Sequence, residues 1–220
     1  YKKEYKKKIK ADNIFLFGKN EKKRFSKIIE GNICNFGNAS NNHYPINKKQ
    51  VTNKIKSIMY VSIYNSTTNS FGEDKKIFNF LVEFCKKNKI RLSFCSKFGY
   101  SKEGFFRNNL HKGEWKYLPH VNSIRTYKNL NRQQMVVFTY STLGFEALAK
   151  GLRCAAFHNN FPIDGNYKKY PKKGIFWNNS KSYRDIEKTL NRVIAFSNRD
   201  WKKIVKKYSP EIMNYDPGNI

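Results

Sequence analysis

Met135 to Phe138 and Tyr140 form an apolar run broken only by Thr139, and the pattern then changes at Ser141 and Thr142. The run suits a strand buried on both faces. Ser141 and Thr142 are good capping residues, Phe145 to Lys150 are strong helix formers, and Gly151 stops them. The same switch between periods recurs along the chain. DNIFLFG (12–18), a helical spacing around 22–29 and NICNFG (32–37) read as strand, helix and strand. Residues 38–53 are polar, contain Pro45 and show no period, as in a linker.

Beyond the linker, the pattern predicts a strand at 57–65, a helix at 77–89, a strand at 91–98, a helix at 101–110 and a short edge strand at 115–119. The 136–151 unit leads into a strand at 153–158, and GIFWNN (174–179) extends a strand. A helix at 183–197 carries Ile186, Leu190, Val193 and Ile194 on one face. A last helix begins near Asp200, with Trp201, Ile204, Val205 and Tyr208 at the spacing of a buried stripe. Strands alternating with helices predict an α/β fold, a Rossmann-like parallel sheet with flanking helices.

Composition changes this picture little. The chain has 220 residues, 16% of them aromatic, enough to bury a real core. A formal net charge of +28 ordinarily points to nucleic acid, anionic membrane or acidic substrates. Yet 35 of the 44 basic residues are Lys and nine are Arg, a bias expected of an AT-rich genome. Lys lacks the planar fork with which Arg reads phosphates and base edges. Cys34, Cys85, Cys95 and Cys154 are widely spaced and read as reduced thiols, and no segment approaches the length of a membrane span.

The candidate chemistry lies where the buried strand meets the helix. The first turn of a helix has unpaired N–H groups and a partial positive charge, so it can hold a phosphate without a dedicated cation. Ser141, Thr142, Leu143 and Gly144 form that turn, two hydroxyls add donors, and Gly144 allows close approach to the backbone. Glu146 lies one turn beyond Thr142, where its carboxylate can accept from a ribose diol. The same residues also suit a plain helix cap. His158 ends the next strand and reaches the same crevice in this topology, as do Ser62 to Asn65. Asp164 and Asp185 have no partner at a spacing that suggests acid–base catalysis or a metal site.

VVFTYSTLGFEALAKG (136–151), GIFWNN, the tryptophan-bearing last helix and YDPGN (215–219) resemble a known family: bacterial surface-carbohydrate or O-antigen biosynthesis proteins with a GT-B-like glycosyltransferase fold. The resemblance covers most of residues 55–220, and the polar amides at 131–134 depart from it. It implies that 54–220 is the C-terminal nucleotide-sugar-binding domain, and that 1–53 is the tail of a first Rossmann-like domain plus a linker. It further implies a nucleotide-sugar donor at Ser141–Glu146 and His158, with no tightly bound cofactor and no metal. The implied partners are a saccharide or lipid-linked acceptor and, peripherally, the anionic inner face of the membrane. The implied location is cytoplasmic. The resemblance implies that residues 1–53 carry only the tail of the domain that would hold the acceptor and the catalytic base, so it does not by itself imply transfer activity. Alternatives are a basic nucleic-acid-binding module, which the Lys bias disfavours, and an epimerase-like or non-catalytic subunit of the same fold.

Overall fold

The structure is a computed structural model that describes residues 8–45, 54–62, 71–96, 113–118, 122–139, 141–157, 170–180 and 182–218. A five-stranded parallel sheet forms the centre. Its strands are β3 (Ser57–Ser62), β4 (Arg91–Ser96), β5 (Trp115–Leu118), β6 (Met135–Phe138) and β7 (Arg153–Ala156), in the order β5-β4-β3-β6-β7. All their pairings are parallel. This is the predicted Rossmann-like architecture. β3, β6 and β7 are buried at every position, which is why they read as continuous apolar runs rather than alternating ones.

Register assigns the two faces. Tyr60 pairs with Phe94 and Val137, and the rings of Tyr60, Phe94 and Trp115 all pack on Phe78 of helix α3 (Phe71–Lys87). Val61 pairs with Phe138, and Phe138 lies under Phe145 of α5 (Thr142–Ala149) on the other face. Helix α4 (Ser123–Leu130) shares the α5 side, since the Tyr127 hydroxyl donates to Glu146. Helix α6 (Tyr183–Ala195) joins α3 through Tyr183 against Phe80. Helix α7 (Asn198–Ile212) sits on the α5 side, where Trp201 Nε1 donates to the carbonyls of Gly151 and Leu152. Phe176 and Trp177 bridge β7 to Tyr208 of α7, and backbone bonds between Ala156, Phe176 and Asn178 make the expected sheet extension.

The N-terminal part forms a smaller unit. β1 (Ile9–Leu16) and β2 (Ile29–Asn35) pair in parallel around α1 (Lys19–Phe25). The segment read as a linker begins with a short helix, α2 (Ala39–His43), in which Asn41 and Asn42 are fully buried. Polarity therefore misled there: these amides are internal connectors. Asn42 Nδ2 donates to Phe36 O at 2.9 Å and Asn42 Oδ1 accepts from Asp216 N at 3.1 Å. After α7 the chain crosses back, with Asn214 N on Phe17 O and Asn214 Nδ2 on Asn35 O. Gly37 sits under this crossing at φ 83°, and a Cβ there would lie 2.0 Å from Asn214 O, so both conformation and space demand glycine.

Candidate nucleotide site

β3 and β6 are neighbours whose chains leave to opposite faces, β3 to α3 and β6 to α5. Their carboxyl ends therefore bound the crevice of a topological switch point, where open α/β sheets take ligands. Ser62 ends β3, Thr139 follows β6, and Ser141 and Thr142 open α5 at the same edge.

Ser141 is the N-cap. Its backbone is extended, and its Oγ accepts from Leu143 N at 3.3 Å while its carbonyl accepts from Gly144 N at 3.1 Å. The capping reading of Ser141 is thus present in the structure: it engages the Leu143 and Gly144 amides and leaves Thr142 as the exposed residue of the first turn. Thr142 is exposed at that mouth and Leu143 is half-buried beside it. Gly144 has a different role from the one expected. It is buried, and a Cβ there would lie 2.1–2.4 Å from the Phe138 ring. The group that approaches Gly144 is an aromatic side chain of the preceding strand, so the glycine serves strand–helix packing rather than phosphate contact.

Glu146 also differs. It is 3% exposed, and its carboxylate takes Asn38 Nδ2 on Oε1 at 2.8 Å and the Tyr127 hydroxyl on Oε2 at 2.6 Å. Lys150 lies one turn on, buried over the Tyr127 ring at 4.5 Å, and donates to Tyr44 O. Burial pushes the Glu146 carboxyl above the ordinary range and pulls Lys150 down to about 8. In this arrangement Glu146 ties α5 to α4 and to the segment before α2. A ribose contact would require Asn38 or Tyr127 to give way.

The crevice floor holds a group that the motif reading passed over. Asp74, in the first turns of α3, is 3% exposed and accepts from the Tyr60 hydroxyl at 2.9 Å and Ser62 Oγ at 2.8 Å. Desolvation pushes its carboxyl up, partly offset by these donors. Thr139 is buried beside them, its side chain a third polar neighbour of the Asp74 carboxyl. The signal was in the sequence: Asp74 stands at the spacing of Ile77, Phe78 and Leu81, the buried stripe of α3.

His158, the loop to Asn65 and Asp164 lie outside the described residues. Residues 166–174 are rich in lysine, and those of them that are described pack within the protein: Tyr170 packs on Trp177 and Tyr208, and Lys173 pairs with Asp185 at 3.0 Å. The four cysteines are free thiols, three of them buried. Among the described residues no three His, Cys, Asp or Glu side chains gather as a metal site, and no helix is long and apolar enough to cross a membrane.

Sheet order and cap together define an α/β unit of the Rossmann type. The chain belongs to the family described as "putative O-antigen biosynthesis protein", which matches residues 1–220 and places it in surface-polysaccharide biosynthesis. No curated protein sequence matches it. Among solved structures, a "putative UDP-N-acetylglucosamine 2-epimerase" from Listeria monocytogenes is similar at TM-score 0.60 and 12% identity, over 91% of this chain and 55% of that one. A variant of the wall teichoic acid polymerase TagF is similar at 0.54 and 14%, over 93% and 54%. TarM is similar at 0.53 and 12%, over 90% and 40%. These likenesses show the fold alone, and the chain spans about half the length of the structures it matches.

Proposed function

We propose that the chain binds the nucleotide of an activated sugar, as the donor half of a glycosyltransferase in surface-polysaccharide synthesis. The observation that carries this reading is the placement of Ser141 and Thr142 at the start of α5, at the carboxyl end of β6, beside β3 at the switch point. The Thr142 amide and exposed hydroxyl would take the diphosphate, joined by the Leu143 amide in exchange for its 3.3 Å bond to Ser141 Oγ, with charge compensation from the helix terminus. Leaving-group stabilisation by such donors is the chemistry a departing nucleoside phosphate needs. Gly144 and Glu146 then serve as supports, one seating α5 on Phe138 and the other holding it to Tyr127 and Asn38.

On the same reading the β1-α1-β2 unit is what this chain holds of a first Rossmann-like domain, consistent with its parallel pairing and with Phe15 standing 64% exposed on it. The acceptor saccharide or lipid-linked acceptor would then meet the donor between the two units. Membrane contact and a cytoplasmic location belong to this proposal as well. The likeness to the epimerase keeps a second reading of the same site, conversion of a nucleotide sugar rather than its transfer; both require the nucleotide. A thermal-shift screen of UDP, GDP, CDP and CMP tests the shared step. Stabilisation by at least one of them is expected; stabilisation by none overturns the reading.

A further inference from the structure

The amino ends of the strands, opposite the nucleotide crevice, form a second concave region. An open cavity of about 850 Å³ lies there, between α4 and the strands β4 and β5. Register puts Ser57, Arg91, Ser93 and Lys116 on the α4 side of the sheet, because Ser57 pairs with Arg91 and Ser93 pairs with both Met59 and Lys116. Helix α4 has eight residues and turns Tyr127 and Leu130 inward. Among the described residues α4 is the element beside that face of the edge strands, and its residues Arg125, Lys128 and Asn129 form one wall of this trench.

Its lining is strongly one-signed. Arg91, Lys116, Arg125, Lys128 and Arg132 are all exposed along it. The one carboxylate in the lining, Glu114, is taken by Lys86 at 2.6 Å. The choice of cation also departs from the rest of the chain. With nine Arg among 44 basic residues, about one Arg is expected in five such positions, and there are three. Arg brings the planar fork that binds phosphate oxygens in pairs, whereas most exposed cations elsewhere on the described surface are lysine, with Arg24, Arg184 and Arg199 the exposed arginines outside this lining. Five like charges around one recess repel one another, a cost that a bound anion removes.

The floor has a second polar character. Gln133 lines the cavity, is 6% exposed, and directs Nε2 to the Asn129 carbonyl at 3.4 Å, which fixes the amide orientation. Its Oε1 accepts no hydrogen bond. A buried acceptor without a donor is costly. The atom itself is covered, so a small rotation of the Gln133 side chain toward the cavity it lines would let a hydroxyl next to the phosphate of a ligand supply that donor.

We propose that this trench is a second ligand site, specific for a phosphate monoester on a hydroxyl-bearing body, held by Arg91, Arg125 and Arg132 with Gln133 beneath. The site is separate from the α5 terminus, so its existence does not depend on the nucleotide reading. A soluble sugar or polyol phosphate and a lipid phosphate headgroup share this chemistry, and the test distinguishes them.

The soluble probe is glycerol 3-phosphate, titrated calorimetrically into the full chain at about 150 mM salt. The lipid probe is co-sedimentation with phosphatidylcholine vesicles, with and without phosphatidic acid. The variants are Arg125→Gln/Arg132→Gln, a charge-matched control Lys202→Gln/Lys206→Gln on α7, and Thr142→Asp to close the other site. All four substituted basic side chains are exposed, so circular dichroism should show an unchanged fold. Saturable binding of either probe, weakened roughly tenfold or more by the arginine pair but by neither the lysine pair nor Thr142→Asp, supports the site. Binding of glycerol 3-phosphate alone identifies a soluble ligand; binding to phosphatidic acid vesicles alone identifies a headgroup. No saturable binding of either probe, or equal loss in the arginine and lysine pairs, overturns it. So does tighter binding of a single-stranded oligonucleotide that both pairs weaken alike.

Discussion

The Tyr127 hydroxyl donates to Glu146 Oε2 across 2.6 Å, and the Tyr127 ring stacks on Tyr44 with centroids 5.1 Å apart. Through this one side chain α4, α5 and the segment after α2 are held together around a buried carboxylate. Tyr127→Phe keeps the stacking and removes the donor. Leaving a buried charged acceptor short of one bond should cost about 1–3 kcal/mol. The check is urea denaturation, expected to show a lower midpoint at unchanged slope.

Gly144→Ala separates helix propensity from packing. An alanine in a helix interior is intrinsically favoured over glycine by about 1 kcal/mol. Its Cβ would lie 2.1 Å from the Phe138 ring, and overpacking of that kind costs about 1–3 kcal/mol. The clash should win, so the variant should melt below the wild type, and Phe138→Leu in the same chain should recover part of the loss.

Asp74 should behave as a buried, hydrogen-bonded carboxyl. Asp74→Asn keeps partners for Tyr60 and Ser62 and removes a desolvated charge, so stability at neutral pH should hold or rise. Asp74→Ala strands both hydroxyls and should cost about 2–4 kcal/mol. Chemical denaturation of the two variants side by side distinguishes these outcomes.

The pH dependence has two arms of opposite sign. Burial raises the carboxyls of Glu146 and Asp74, so between the ordinary and the raised values the folded protein holds protons that the unfolded chain has lost. Stability should therefore fall as pH rises from about 4 through the raised values. Lys150 is the reverse case: with its folded value near about 8, the unfolded chain holds the extra proton above that pH. Stability should recover as pH climbs from about 8 towards the ordinary lysine value of roughly 10.4. Glu146→Gln should weaken the acid arm and Lys150→Met abolish the alkaline arm, as read by denaturation midpoints from about pH 4.5 to 9.5.

The strand-to-helix unit at 135–151 was legible because a double-sided apolar run and a capping pair are unambiguous local signals. The β5 edge strand, the Trp201–Tyr208 stripe and the parallel sheet followed from period and order in the same way. What Glu146 touches was not legible. In the fold Gly144 to Lys150 are all buried, and a carboxylate in such a helix must find partners within the protein. Those partners, Asn38 and Tyr127, are 108 and 19 residues away. Asn41 and Asn42 misled for the same reason, because composition cannot tell a solvated amide from one that stitches two units together. Asp74 could have been found by counting turns from Ile77 and Phe78.

The central claim is that a nucleotide phosphate rests on the first turn of α5. The most direct measurement is a backbone amide chemical-shift titration of the full chain with the nucleotide that stabilises it best, repeated on Thr142→Asp. An aspartate at that position favours the helix terminus but repels a phosphate. The account predicts that the Thr142 and Leu143 amides shift most and saturate, and that Thr142→Asp folds normally and binds at least roughly tenfold more weakly. Saturable binding that leaves those two amides unmoved, or that Thr142→Asp does not weaken, would contradict it.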